Sequence, residues 1–331
     1  MAIDYLKEIQ QHNKRLTAKF MTLIENNDHK SLDQLKKFYL LDKTYHSHII
    51  GITGFPGAGK SSLINSLIRY YRQQDLTVGV IAIDPTSPFS GGAILGDRLR
   101  MEEFALDTKV FIRSMAARGR LGGLAPATSA FIKILEIYGC DIIIVETVGT
   151  GQSETDIIGM ADTVLLVTIP GSGDQIQALK AGVFEIADIF LVNKSDLPGK
   201  DKQVLFIKQM LDLDDTKLKN KWFPPIVETK AIEYDFEKNG IDTVGLKIKE
   251  HREFLKDKGL LEEKRKSKIK TEVLAILQFS MAQTLLQMKN GQVLQEAIEK
   301  INANELDPYS FINSFIKNFS TYLKKNDERI N

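Results

Sequence analysis

The chain holds 331 residues, 43% of them hydrophobic and 26% charged, a composition that buries a sizeable core and excludes collagen-like, low-complexity and disordered chains. At the usual ~150 residues per domain, that length suggests two domains or one large one with appendages. Lys and Arg total 44 against 43 Asp and Glu, and the net charge of +1 points to neither nucleic acid nor an anionic membrane as partner.

The N-terminus, MAIDYLKEIQQHNKR, is charged from its fourth residue and lacks the apolar stretch of a signal peptide. Apolar runs elsewhere last a few residues, short of the ~18–20 of a membrane helix. A single cysteine, Cys140, forms no internal disulfide and builds no cysteine metal cluster. A soluble, cytoplasmic protein is expected.

Residues 1–45 are polar with Leu16, Phe20, Leu23 and Ile24 at helical spacing, which predicts a helical extension. The middle, 46–250, changes in kind. Short apolar runs occur at 48–53, 78–84, 110–113, 141–147, 163–169, 188–193 and 225–229. Most do not alternate polar with apolar, the pattern of parallel strands buried on both faces. Between them lie helix-patterned segments, one with Leu63, Ile64, Leu67, Ile68 and Tyr71 on one face, another with Phe131, Ile134, Leu135 and Tyr138. Strand and helix in alternation predict an α/β domain with a doubly wound, mainly parallel sheet. Beyond 250 the strand-like runs stop, and 251–331 reads as a helical arm suited to packing against another subunit. Its basic stretch at 264–270 is expected to be a solvated helix face.

The strongest motif is Gly54-Phe55-Pro56-Gly57-Ala58-Gly59-Lys60-Ser61, directly after an apolar strand and before an amphipathic helix, the context of a phosphate-binding loop. Its glycines let main-chain N–H groups turn inward around phosphate oxygens at a helix N-terminus. In that setting Lys60 reaches the β- and γ-phosphates and the Ser61 hydroxyl ligates Mg²⁺. A chance match in this length is on the order of one in a hundred.

Asn193-Lys194-Ser195-Asp196 follows another strand, as a guanine reader should. The Asp196 carboxylate accepts hydrogen bonds from the guanine ring N–H and amino group, a pair adenine does not offer, so GTP is favoured over ATP. Asp84 and Glu146 end strands at the edge where ligands bind in such sheets, and Asp97 sits in a glycine-rich loop; all three are candidate metal-site carboxylates. Gln152 is a candidate for orienting the attacking water. The loops 85–100 and 147–156 are of the kind that a γ-phosphate orders and hydrolysis releases. Arg113, Arg118 and Arg120 either meet phosphates or a partner, or lie in solvent. One helix and a short turn separate Ser61 from the next strand, which predicts a right-handed β-α-β unit with a parallel neighbour, unlike the antiparallel insertion of Ras-type GTPases.

Taken in order, GFPGAGKSS, IDPTSPFSGGAILGDRLRM, RSMAARGRLGGL, VETVGTGQSE, IPGSGDQIQALKAGVFEIAD and NKSD resemble the MeaB/ArgK family. These are cobalamin-associated GTPases that chaperone methylmalonyl-CoA mutase and have a human counterpart in the methylmalonic aciduria type A protein. The resemblance covers most of 14–250 and continues more faintly to 305–315. It implies slow, Mg²⁺-dependent hydrolysis of GTP to GDP and homodimerisation through the C-terminal helices. It also implies docking on an adenosylcobalamin-dependent acyl-CoA mutase, whose cofactor loading the family gates, with 170–182 as an additional switch. Carried over, Gly54 to Ser62 hold phosphates, Asn193, Lys194 and Asp196 the guanine, and Asp84, Asp97 and Glu146 match the metal-site carboxylates.

Thr229-Lys230-Ala231-Ile232 aligns with the family's second guanine-side segment, with Lys230 where serine is usual. Competing readings are a nickel-insertion GTPase, a P-loop kinase and a protein that uses GTP only structurally. Nickel transfer needs Cys or His ligands near the switches, whereas His46, His48 and His251 form no pair near the loop. A kinase would pass phosphate to an acceptor rather than to water.

Overall fold

A computed structural model describes residues 3–41, 47–84, 103–116, 125–147, 159–171, 186–212, 222–233 and 235–327. The chain divides into two compact units, Met1–Glu272 and Val273–Asn331.

The first unit opens with three short helices: α1 (Tyr5–Gln10), α2 (Lys14–Glu25) and α3 (His29–Tyr39). Each starts where a side chain caps it. Asp4, Asn13 and Asp28 accept hydrogen bonds from the N–H of Lys7, Leu16 and Ser31, satisfying donors that have no partner inside the helix. The buried stripe of α2 is Thr17, Phe20, Met21 and Ile24, and the Phe20 ring lies between Tyr5 at 4.7 Å and Phe38 at 5.2 Å between centroids. Arg113 is committed here: its guanidinium donates to Thr22 at 3.0 Å and pairs with Glu25 at 3.3 Å, fastening α2 to the sheet. Arg118 and Arg120 lie outside the described residues.

Seven parallel strands follow among the described residues: β1 (His48–Gly54), β2 (Val78–Asp84), β3 (Val110–Ala116), β4 (Ile142–Glu146), β5 (Thr163–Thr168), β6 (Ile189–Val192) and β7 (Ile226–Glu228). Their order is β3-β2-β4-β1-β5-β6-β7. The apolar runs of the sequence are these strands, and β1, β4, β5 and β6 are buried on both faces, as their lack of alternation predicts. One expectation needs correcting. The unit running from β1 through α4 (Lys60–Gln73) to β2 does not make β2 the neighbour of β1. β4 lies between them, pairing Glu146 with Ile52 on one side and Ala82 on the other. The run Ile142–Val145 is fully buried and needs a strand on each side to satisfy its main chain.

Alternate side chains feed two layers. Ile189 and Leu191 of β6 join α4 and α8 (Ile241–Asp257) in one cluster, while Phe190 and Val192 pack with Ile207 and Leu211 of α6 (Lys200–Asp212) in another. α5 (Ala125–Tyr138) contacts β2 and carries the N-terminal helices, and a short helix α7 (Phe236–Asn239) precedes α8. Each fully buried Leu or Ile contributes ~1.5–3 kcal/mol relative to exposure.

At the edge of the sheet away from the glycine loop lies a buried polar chain. His48 Nε2 is 2.8 Å from Thr163 Oγ1, which is 2.9 Å from His251 Nδ1, and His251 Nε2 is 3.3 Å from Asp188. One proton arrangement satisfies every link with neutral imidazoles: His48 donates to Thr163, Thr163 to His251, and His251 to Asp188. The 264–270 run is also corrected here. On α9 (Leu260–Gln287), Lys264 donates to the Asp162 carbonyl at 2.9 Å, and Lys268 forms an ion pair with the buried Asp162 carboxylate. These two lysines grip the sheet while Lys266 and Lys270 face solvent; the buried Asp162 and the half-buried Asp188, just ahead of β5 and β6, supply the counter-charge.

Burial holds the pKa of His48 down to about 3 and that of His251 down to about 4, against the partial opposition of Asp162 and Asp188 respectively. Lys268, His251 and Arg252 reinforce the shift at His48, and Lys264 that at His251. Both folded values lie below the unfolded one, so the stability is complete above pH ~6.5 and declines as pH falls toward the folded values. Between pH 7 and 5 the two histidines together remove on the order of 4 kcal/mol. Urea midpoints of the full chain should drop across that interval, and His251→Gln should flatten the drop; a midpoint constant from pH 7 to 5 would contradict this.

The second unit continues α9 into α10 (Gln292–Asn302) and α11 (Pro308–Asp327). Ala297 and Phe315 are buried, but Val273, Leu277, Ile298, Tyr309 and Ile316 stand exposed. Among the described residues no helix is long and apolar enough to cross a membrane.

Candidate nucleotide-binding site

Because all strands run parallel, their carboxyl ends collect at one edge, and the predicted site residues collect with them. β1 ends in Gly54, whose φ of 143° suits glycine. A Cβ there would meet the Val167 carbonyl oxygen of β5 at 2.2 Å. Phe55 packs against both core clusters, whereas Pro56 and Gly57 are exposed and Ala58 is buried. Gly59 opens α4 with φ 88°, and a Cβ on it would lie 2.4 Å from the Asn193 amide nitrogen. The loop is therefore held against two neighbouring strand ends at the positions where it carries no side chain.

Lys60, the first residue of α4, is only 7% exposed. Its Nζ donates to the carbonyls of Gly54 at 2.8 Å and Phe55 at 3.0 Å, folding the ammonium over the mouth of the loop. Ser61 donates to Glu146 Oε1 at 3.2 Å, with both groups buried, and Ser62 follows half-buried. A hydroxyl and a carboxylate meeting at the N-terminus of a phosphate-binding helix are the hard oxygen donors that Mg²⁺ takes alongside substrate phosphates. Thr147 fixes the far side of Glu146: its N–H donates to the Ile52 carbonyl and its hydroxyl to Thr53, both at 3.1 Å. Asp84 ends β2 at the same edge. Asp97 and Gln152 lie outside the described residues. Among those described, no cluster of three His, Cys, Asp or Glu side chains is disposed to hold a metal.

Asn193 links three segments. Its Nδ2 donates to the Ala58 carbonyl at 2.8 Å, and its Oδ1 accepts from the Thr229 hydroxyl and the Ala231 N–H, both at 3.1 Å. Lys194, at φ 54°, lays its side chain along the loop and donates to Gly57 at 3.0 Å. Asp196 is exposed. Of the aligned second segment, Lys230 and Ile232 face solvent and Ala231 is buried. Sequence reasoning missed Thr53 and Ser66, and named Thr229 only as the first residue of the aligned segment. The one available signal was a serine set among the apolar positions of α4.

A glycine cradle between strand and helix, with a carboxylate-bearing loop two strands away, defines a P-loop nucleotide-binding protein of the α/β class. The family described as methylmalonyl-CoA mutase-associated GTPase MeaB matches residues 17–290, and the chain belongs to it. A Pyrococcus abyssi protein carrying a GTPase name is 47% identical over 319 residues, 96% of each chain. The Escherichia coli GTPase ArgK is 33% identical over 267 residues, 79% of each. A solved structure described as an LAO/AO transport system kinase superposes with a TM-score of 0.68 over 96% of each chain at 23% identity, and so shares the fold. The protein is a GTPase and binds guanine nucleotide.

Proposed function

We propose that this chain is a Mg²⁺-dependent GTP switch serving an adenosylcobalamin-dependent acyl-CoA mutase of the methylmalonyl-CoA type, gating its cofactor loading and protecting it in the cytoplasm. The family match over 17–290 carries this reading, since the family is described by its association with that mutase. Ser61, Asp84, Asp97 and Glu146 are the ion's proposed donors; bound there, Mg²⁺ would neutralise charge developing on the phosphates. Lys60 would hold the β- and γ-phosphates and Gln152 would orient the water. Asn193 and Lys194 would keep the base pocket in register with the loop while Asp196 reads guanine. Positioning and electrostatics supply the rate in such sites, and a partner can complete them.

The Ser61–Glu146 contact supports a switch. Glu146 is the last residue of β4 and leads straight into the loop at 147–156, so occupation of the phosphate site bears on where that loop starts. The exposed Val273, Leu277, Ile298 and Ile316 support the arm at 251–331 as the seat of a homodimer. A binding titration against methylmalonyl-CoA mutase tests the reading. Affinity should differ by ~5–150-fold between the protein loaded with GDP and with a non-hydrolysable GTP analogue, the range of ordinary allosteric coupling. Equal affinity in both states, or no binding in either, would contradict it.

A further inference from the structure

The second guanine-side segment raises a question of construction. Lys230 stands where the resembling proteins carry serine, and it faces solvent with its neighbour Ile232. The segment is nevertheless held tightly, through its main chain. The Lys230 N–H donates to the Asn239 carbonyl at 3.0 Å, and the Thr229 carbonyl accepts from the Ser195 N–H at 3.1 Å. The Ala231 N–H donates to Asn193 Oδ1. The Ala231 carbonyl accepts from the Ser66 hydroxyl at 2.9 Å. Both polar main-chain groups of Ala231 are thus fixed, one by the guanine-reading loop and one by α4.

Ser66 is fully buried and lies on the helix that begins at Lys60, on the turn after Ser61. Serine inside a helix ordinarily returns its hydroxyl to a carbonyl one turn back. Here the hydroxyl leaves the helix and crosses to a segment 165 residues away in sequence. The Ala231 methyl sits in the same core cluster as Leu63 and Leu67 of α4 and Ile241 of α8, so the hydrogen bond and the packing act at one point.

We propose that Ser66 is a positioning residue for guanine recognition, setting the spacing between the phosphate-holding helix and the base-side segment 229–232 through its bond to Ala231. This rests on the guanine-nucleotide reading of the site. The bond lets the side chain at 230 vary, because the segment's place is decided by Ser66, Asn193 and Asn239 through the main chain and not by the side chain at 230. The site then measures one length, from phosphate to base, and a buried hydroxyl helps to set it.

The test separates the two halves of the ligand. Ser66→Ala should weaken GDP binding ~5- to 10-fold, the net worth of one buried hydrogen bond, and shrink the GDP-over-ADP preference by the same factor. Pyrophosphate, which has no base, should bind within twofold of wild type. At saturating GTP the turnover should hold while KM rises. Ser66→Cys keeps the size with a weaker donor and should fall between, which covers the case of an alanine variant that does not fold. A folded variant with unchanged GDP affinity and base preference would overturn the proposal, as would equal losses for GDP and pyrophosphate. A wild-type chain that binds pyrophosphate but shows no preference for GDP over ADP would instead overturn the reading of the site itself.

Discussion

Asp196→Asn should reverse the base preference from guanosine to xanthosine nucleotides. In the proposed role the carboxylate would accept from the ring N–H and the amino group of guanine; an amide would offer only one acceptor there and present a donor to the amino group. Xanthine carries an oxygen where guanine carries that amino group, so the new donor finds an acceptor. Two charge-assisted hydrogen bonds are worth ~1.5–3 kcal/mol each. Because Asp196 is exposed, the lower end applies, and GDP affinity should fall by roughly 10²-fold. Asn193 and Lys194, which hold the loop through Ala58 and Gly57, are untouched, so the fold and the phosphate cradle should survive. Competition between GDP and XDP on the purified variant measures this directly. A variant that kept its guanine preference would remove Asp196 from the site.

Lys60→Ala should have the larger effect on the triphosphate. The ammonium is nearly buried and rests on the Gly54 and Phe55 carbonyls, two neutral acceptors that phosphate oxygens would replace with charged ones. Removing one partner of a buried charge pair costs ~2–5 kcal/mol, or roughly 30- to 5,000-fold in GTP affinity. Hydrolysis should disappear with it, since in the proposed role the same charge would face the developing negative charge on the γ-phosphate. The alanine variant also loses two hydrogen bonds that tie the loop to itself. Lys60→Met, which keeps most of the side-chain stem, tells that loss apart from the loss of charge. GTP binding at wild-type affinity in both variants would refute the role of Lys60.

The sheet was largely legible in the sequence because strands buried on both faces leave continuous apolar runs, and the glycine loop because its chemistry demands glycine at fixed places. Gly54 and Gly59 each lie where any Cβ would strike a neighbour. Strand order was less legible. Adjacency along the chain suggested that β2 sits beside β1, and only the pairing of Glu146 with both Ile52 and Ala82 shows β4 inserted between them.

Charge was misleading in one place. A run of lysines and arginines on a helix looks solvated from its composition. Asp162 and Asp188, more than seventy residues upstream, draw Lys264 and Lys268 inward, and no local pattern encodes such a pairing. Ser66 offered only its polar side chain among the apolar positions of α4, since its partner Ala231 is brought to it by the tertiary fold. Asp97 and Gln152 were legible as residue types in glycine-rich loops, and their place in the site remains a proposal.

The central claim is that the turn at 54–61 and the loop at 193–196 together hold a guanine nucleotide. Calorimetric titration of the full chain with GDP and with ADP, in the presence of Mg²⁺, tests it most directly. The account predicts saturable binding of GDP near one per chain, with ADP weaker by at least two orders of magnitude, since a base lacking the paired donors leaves the Asp196 carboxylate unmatched. Equal heats for the two nucleotides, or none for GDP, would contradict it.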